Sequence, residues 1–222
     1  LDSSVAETAG VLDRIELRNV SFSYQSSEPI LENFSLELKS GDRVLLSGQS
    51  GIGKSTLLEI LGGLLTPNFG TVLFNNEECT NQVFRKYRHQ ICFVTPNVYI
   101  FDNTIRYNLS PGKEIEEDQL WSALSNVELD DFVNSQSMLL DTEVGPNGSL
   151  LSTGQRQRLV LARAFLQQPT VFILDEFTAN LDKHTEGRIM HMINQLAGES
   201  TITIMAAHKV PVDFHPTIHL EL

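Results

Sequence analysis

Apolar residues at Ile15, Leu17, Val20 and Phe22 alternate with polar ones, which predicts a half-buried strand from Asp13 with a slip near Asn19. A second alternating run, Phe34–Leu38, closes on the turn Ser40-Gly41-Asp42. Val44-Leu45-Leu46 is a short apolar strand that runs straight into glycines, and Lys54–Leu61 has helical spacing that stops at Gly62-Gly63. Further strands are predicted at Thr71–Phe74, Ile91–Val94, Thr170–Leu174, Thr201–Met205 and Thr217–Leu220. The stretch from Asn103 to Leu166 reads as mostly helical, clearest at Ile115–Leu124 and Gly154–Phe165. Early alternating strands, a helical block and a later α/β alternation predict one α/β domain with two attachments. Residues 1–12 open with small polar side chains and no periodicity, and read as a linker or tail before a domain over 13–222.

The chain has 222 residues, 41% of them hydrophobic, enough to bury a core without disulfide or metal staples. No apolar run approaches the ~18 residues of a membrane span. A formal net charge of −12, with no basic cluster, argues against a nucleic-acid platform, where Lys and Arg must neutralise phosphates. Cys79 and Cys92 are too few for a disulfide framework and fit a reducing compartment. The single Trp121 and the Phe residues show no stacking pattern and read as core or interface. A first residue of Leu1, with no leader pattern, suggests a piece of something longer.

Gly48-Gln49-Ser50-Gly51-Ile52-Gly53-Lys54-Ser55 fits G-x-x-x-x-G-K-[ST] between a predicted strand and a predicted helix, the context this phosphate-binding loop requires. Its glycines let backbone N–H groups turn inward around phosphate oxygens, and the helix N-terminus adds a favourable dipole. Lys54 is placed to reach the β- and γ-phosphates, Ser55 to ligate Mg²⁺, and Thr56 to complete the nucleotide-binding run. Val171-Phe172-Ile173-Leu174-Asp175-Glu176 sets two carboxylates at the C-terminal end of a buried strand, the edge where open α/β sheets bind ligands. Asp175 is the candidate for the Mg²⁺ shell and Glu176 the candidate general base for an attacking water.

With these motifs in order, the chain resembles the ATP-binding cassette ATPases, the nucleotide-binding domains of ABC transporters, from about Asp13 to Leu222. Leu151-Ser152-Thr153-Gly154-Gln155 resembles the family signature LSGGQ, with Thr153 at the first glycine position. Asn180-Leu181-Asp182 resembles the D-loop, His208 the switch histidine, and Tyr24 the aromatic residue that stacks on adenine. The resemblance implies a RecA-like P-loop core with an antiparallel β-subdomain and an inserted helical signature subdomain, approximately 97–166. It also implies ATP and Mg²⁺ as ligands, with Lys54, Glu176 and His208 as catalytic residues. Two cassettes, identical or homologous, would pair head to tail so that each signature contacts the ATP held by the other. Taken singly, Tyr24 reads as a half-buried strand residue, His208 as a surface histidine, and Ser152 with Gly154 as a helix cap and first turn.

Thr142-Glu143-Val144-Gly145-Pro146-Asn147-Gly148 resembles the TEVGxxG segment of exporters, and Phe101–Leu109 resembles their FxGTIRxNI stretch. The implied partners are the transmembrane domains of an ABC exporter, on the cytoplasmic side of a membrane, with no nucleic acid. In departure from the family, Pro96 falls at the Q-loop glutamine, so that role is lost or taken by Asn97. Thr153 adds a β-branched side chain near the expected phosphate path. The family's usual C-terminal helices are missing or cut away after His208. Two other readings remain at this point, a soluble ABC ATPase acting on nucleic acid or the ribosome, and a low-turnover cassette that mainly binds ATP.

Overall fold

A computed structural model describes residues 10–25, 28–95, 99–178 and 183–222. The chain runs through β1 (Arg14–Phe22), β2 (Leu31–Lys39), β3 (Arg43–Ser47), α1 (Lys54–Leu61), β4 (Phe69–Phe74), β5 (Glu77–Glu78) and α2 (Asn81–Tyr87). It continues through β6 (Ile91–Val94), α3 (Ile105–Leu109), α4 (Glu117–Asn126), α5 (Asp130–Asn134) and α6 (Thr153–Gln167). Last come β7 (Val171–Asp175), α7 (Lys183–Leu196), β8 (Ile202–Ala206) and β9 (Ile218–Glu221).

β1, β2, β4 and β5 form a four-stranded antiparallel sheet in the order β2-β1-β4-β5. The slip in β1 is a register shift between Leu17 and Val20, with Asn19 at φ 47°, a left-handed value that Asn tolerates better than most residues. The other sheet is parallel and five-stranded, in the order β6-β7-β8-β3-β9. Its inner strands β3, β7 and β8 are apolar runs because both of their faces are covered. The period-2 alternation of side chains sends them to two cores. Val44, Leu46, Val171, Ile173, Ile202 and Ile204 pack with α1 and the antiparallel sheet. Leu45, Phe172, Leu174 and Met205 pack with residues of α3, α4, α6 and α7.

The amphipathic helix α7 was not anticipated from the sequence, although Ile189, Met190, Met192 and Ile193 form its buried stripe. Nor was α2, in which only Tyr87 is buried. At the other end of the chain Leu12 is buried, its N–H donating to Gln90 Oε1 at 2.7 Å, while Gln90 Nε2 donates to the Gly10 carbonyl at 2.9 Å.

Candidate functional site

The strand order builds the site. β8 lies between β3 and β7, so Leu46, Ala206 and Asp175 stand side by side at the C-terminal edge. The Ala207 N–H donates to the Leu46 carbonyl at 3.0 Å and the Glu176 N–H to the Ala206 carbonyl at 3.0 Å, which extends this register past the strand ends. The glycine loop therefore leaves the sheet beside the acidic pair. Gly53, at φ 114°, is the N-cap of α1, and a Cβ there would lie 2.3 Å from Ile30 Cγ2. Gly48, at φ 147°, passes so close to the Leu222 carbonyl that a Cβ would lie 2.8 Å from its oxygen. These two positions require glycine for conformation and close approach, as a loop wrapped around phosphate does.

A cleft of about 430 Å³ opens over the loop, walled by Tyr24, Ile30, the loop residues Ser50, Gly51 and Gly53 to Thr56, and the Asp175–Glu176 pair. Lys54 is 4% exposed, and its Nζ donates to the carbonyls of Gly48 at 2.9 Å and Gln49 at 3.0 Å. The same ammonium lies 3.3 Å from Glu176 Oε1, and His208 Nε2 lies 3.3 Å from that oxygen too. One carboxylate oxygen thus joins the loop lysine of α1, the end of β7 and the segment after β8. Tyr24, 48% exposed, turns its hydroxyl to Thr56 Oγ1 at 3.3 Å and packs edge-on against Phe22 at 4.9 Å. Gln49, Ser50, Gly51, Ile52 and Ser55 form the exposed lip.

Among the described residues, Asp175 Oδ1 is buried with no hydrogen-bond partner. A buried carboxylate oxygen left unpaired is costly unless a cation supplies the partner. With the exposed hydroxyl of Ser55 on the same cleft, the donor set is two hard oxygens, which suits Mg²⁺ better than a softer metal.

The signature residues stand elsewhere. Ser152 caps α6 through a reciprocal pair, Gln155 N–H to Ser152 Oγ at 3.2 Å and Ser152 N–H to Gln155 Oε1 at 2.8 Å. Thr153 Oγ1 accepts from Arg156 Nη2 at 3.1 Å, and Gly154 leaves open space where a Cβ would stand. Among the described residues, the cleft wall contains none of Leu151, Ser152, Thr153, Gly154 and Gln155. Pro96 and Asn97 at the Q-loop position, and Asn180, Leu181 and Asp182 of the D-loop, lie outside the described residues.

The two exporter-like stretches meet. Thr104 and Glu143 form an antiparallel bridge, the Ile105 N–H donates to the Thr142 carbonyl at 2.9 Å, and the Val144 N–H donates to the Asn103 carbonyl at 3.1 Å. Behind them, Asn108 is fully buried and holds the Phe101 N–H at 2.9 Å, its carbonyl at 3.0 Å and the Thr104 carbonyl at 2.9 Å. The Arg163 guanidinium caps the Asn108 carbonyl and the Tyr99 carbonyl, and burial pulls its pKa down to about 10. No sequence pattern singles out this pair, since the signal is a contact between residues 55 positions apart.

A Gly-rich loop at the C-terminal edge of a parallel sheet, a buried lysine inside it and an acidic pair with one strand between define a P-loop nucleoside-triphosphatase core. The chain matches the family described as ABC transporter over residues 31–179. An uncharacterized ABC transporter ATP-binding protein of Sinorhizobium fredii is 34% identical over 197 residues, covering 88% of this chain and 33% of the relative. The ATP-dependent lipid A-core flippase of Salmonella paratyphi A is 35% identical over 219 residues, covering 95% of this chain and 38% of the relative. The structure of a bacterial Atm1-family ABC exporter with ATP bound matches with a TM-score of 0.81 at 30% identity, over 94% of this chain and 37% of that one. The chain belongs to the ABC transporter family, as an ATP-binding ATPase cassette of the exporter type. It spans about a third of the length of the curated relatives it matches.

Proposed function

We propose that this cassette hydrolyses ATP to drive an ABC exporter, two cassettes pairing head to tail around two nucleotides. The observation that carries the reading is the convergence of Lys54 Nζ and His208 Nε2 on Glu176 Oε1, each at 3.3 Å, at the mouth of the glycine loop. Lys54 is pre-set inside the loop to meet β- and γ-phosphate charge, and the inward N–H groups share that charge. Glu176 accepts the proton of the attacking water, and His208 steadies that water and the γ-phosphate. Tyr24 offers its ring to adenine at the outer end of the cleft.

Asp175 and Ser55 would hold Mg²⁺, which when bound neutralises charge on the β- and γ-phosphates. The capped N-terminus of α6, which is absent from its own cleft wall, suits contact with the γ-phosphate held by a second cassette. That second cassette is a further copy or a homologous half. In this reading the paired segments 101–109 and 142–148 are the surface turned toward the membrane domains, and the cassette works on the cytoplasmic side of the membrane. Among the described residues no helix is long and apolar enough to cross a membrane.

Pairing is tested by light scattering on the Glu176→Gln variant, which holds ATP without consuming it. The mass should double when ATP and Mg²⁺ are added and return to one chain when they are removed. A mass that stays at one chain at saturating ATP eliminates self-pairing.

A further inference from the structure

We propose that Gln157, on the signature helix, is a positioning residue that holds the turn carrying Glu176 in its working conformation. The inference rests on the hydrolytic reading above. Glu176 follows the last residue of β7 with φ 43°, a left-handed backbone that costs a non-glycine residue of order 1 kcal/mol and persists only where the surroundings impose it. Two anchors impose it here. On one side the Glu176 N–H donates to the Ala206 carbonyl of β8 at 3.0 Å. On the other, Gln157 Nε2 donates to the Phe177 carbonyl at 3.4 Å, reaching across from α6. The strained residue is thus held at its own N–H and at the carbonyl of the residue that follows it, and its side chain is aimed at Lys54 and His208.

Gln157 itself is 7% exposed, and among the described residues its Oε1 is buried without a partner. A side chain chosen only for stability would not bury an unpaired acceptor, because a leucine of similar volume avoids that cost. The amide is retained for the one bond it makes, to the carbonyl beside the catalytic turn. Gln157 also lies two residues beyond Gln155 of the capping box, so the residues that would meet a partner's nucleotide and the side chain that anchors the turn carrying the base share one short rigid segment.

The test is steady-state hydrolysis by Gln157→Leu, with Gln157→Met as a second variant of similar length should leucine fold poorly. Loss of the anchor should lower kcat about tenfold while KM for ATP and ATP affinity stay within twofold, since orientation and not binding is lost. The melting temperature should hold, because removal of the unpaired Oε1 offsets the donor lost by the Phe177 carbonyl. In the Glu176→Gln background the same substitution should lower the residual rate by less than twofold, because the group it positions is already gone. An unchanged kcat, a loss of stability that accounts for the loss of rate, or an undiminished tenfold effect in the Glu176→Gln background would each overturn the assignment. A parent chain with no hydrolysis at all would instead overturn the ATPase reading on which it rests.

Discussion

Replacing Lys54 by alanine removes the buried cation of the loop, and the size of the effect follows from its present partners. The ammonium is held by two carbonyls, at 2.9 and 3.0 Å, and by Glu176 Oε1 at 3.3 Å. Nucleotide binding leaves one carbonyl contact in place and turns the other two N–H donors of the ammonium from carbonyl and carboxylate to phosphate oxygens. Hydrogen bonds to charged groups contribute about 1.5–3 kcal/mol each, and two form to phosphate while one to Glu176 is given up. The net loss in Lys54→Ala is then about 1.5–3 kcal/mol, or roughly 10- to 150-fold in Kd. Lys54→Arg should not restore affinity, because a planar guanidinium does not fit between two carbonyls spaced for an ammonium. Titration calorimetry with ATP and Mg²⁺, in the Glu176→Gln background to suppress turnover, measures the difference directly. A Kd for Lys54→Ala within threefold of its parent would refute the reasoning, since phosphate would then be held without this charge.

Asn108→Leu should lower stability by about 3 kcal/mol, about 10 °C in a thermal melt followed by circular dichroism, because the Phe101 peptide and the Thr104 carbonyl lose buried partners. Cys79 and Cys92 have thiols pushed up by burial to about 11 and about 12, so a thiolate-selective dye at pH 8 should label neither until denaturant is added. Because both folded values exceed the ordinary thiol value, the unfolded chain ionises first. On their account stability is constant below about pH 9 and falls as pH rises through the folded values, which urea melts at pH 8 and pH 10 would show.

Local chemistry is legible in the sequence. The glycine loop, the acidic pair after β7 and the slip at Asn19 each depend on a few adjacent residues, and each stands where its pattern puts it. Strand order did not show in the pattern, because three equally apolar strands carry no mark of which one sits in the middle. That order brings His208 and Lys54 to the same oxygen of Glu176. Helix α7 has a clear apolar stripe, but Gly187 and the polar run Lys183–Glu186 precede it and dilute the signal. Helix α2 buries too little to have a period at all. Gln157 and Arg163 were invisible for a different reason: both are polar residues whose importance lies in distant carbonyl partners.

The central claim is that the oxygen shared by Lys54 and His208 belongs to the base that activates water. It is tested most directly by phosphate release from ATP with Mg²⁺, measured side by side for the parent and Glu176→Gln. The substitution keeps side-chain volume and hydrogen bonding but removes the proton acceptor, so ATP affinity should hold while the rate falls by ~10²-fold or more. Equal rates in the two proteins, with ATP bound by both, would contradict the account and leave Glu176 a structural partner of Lys54.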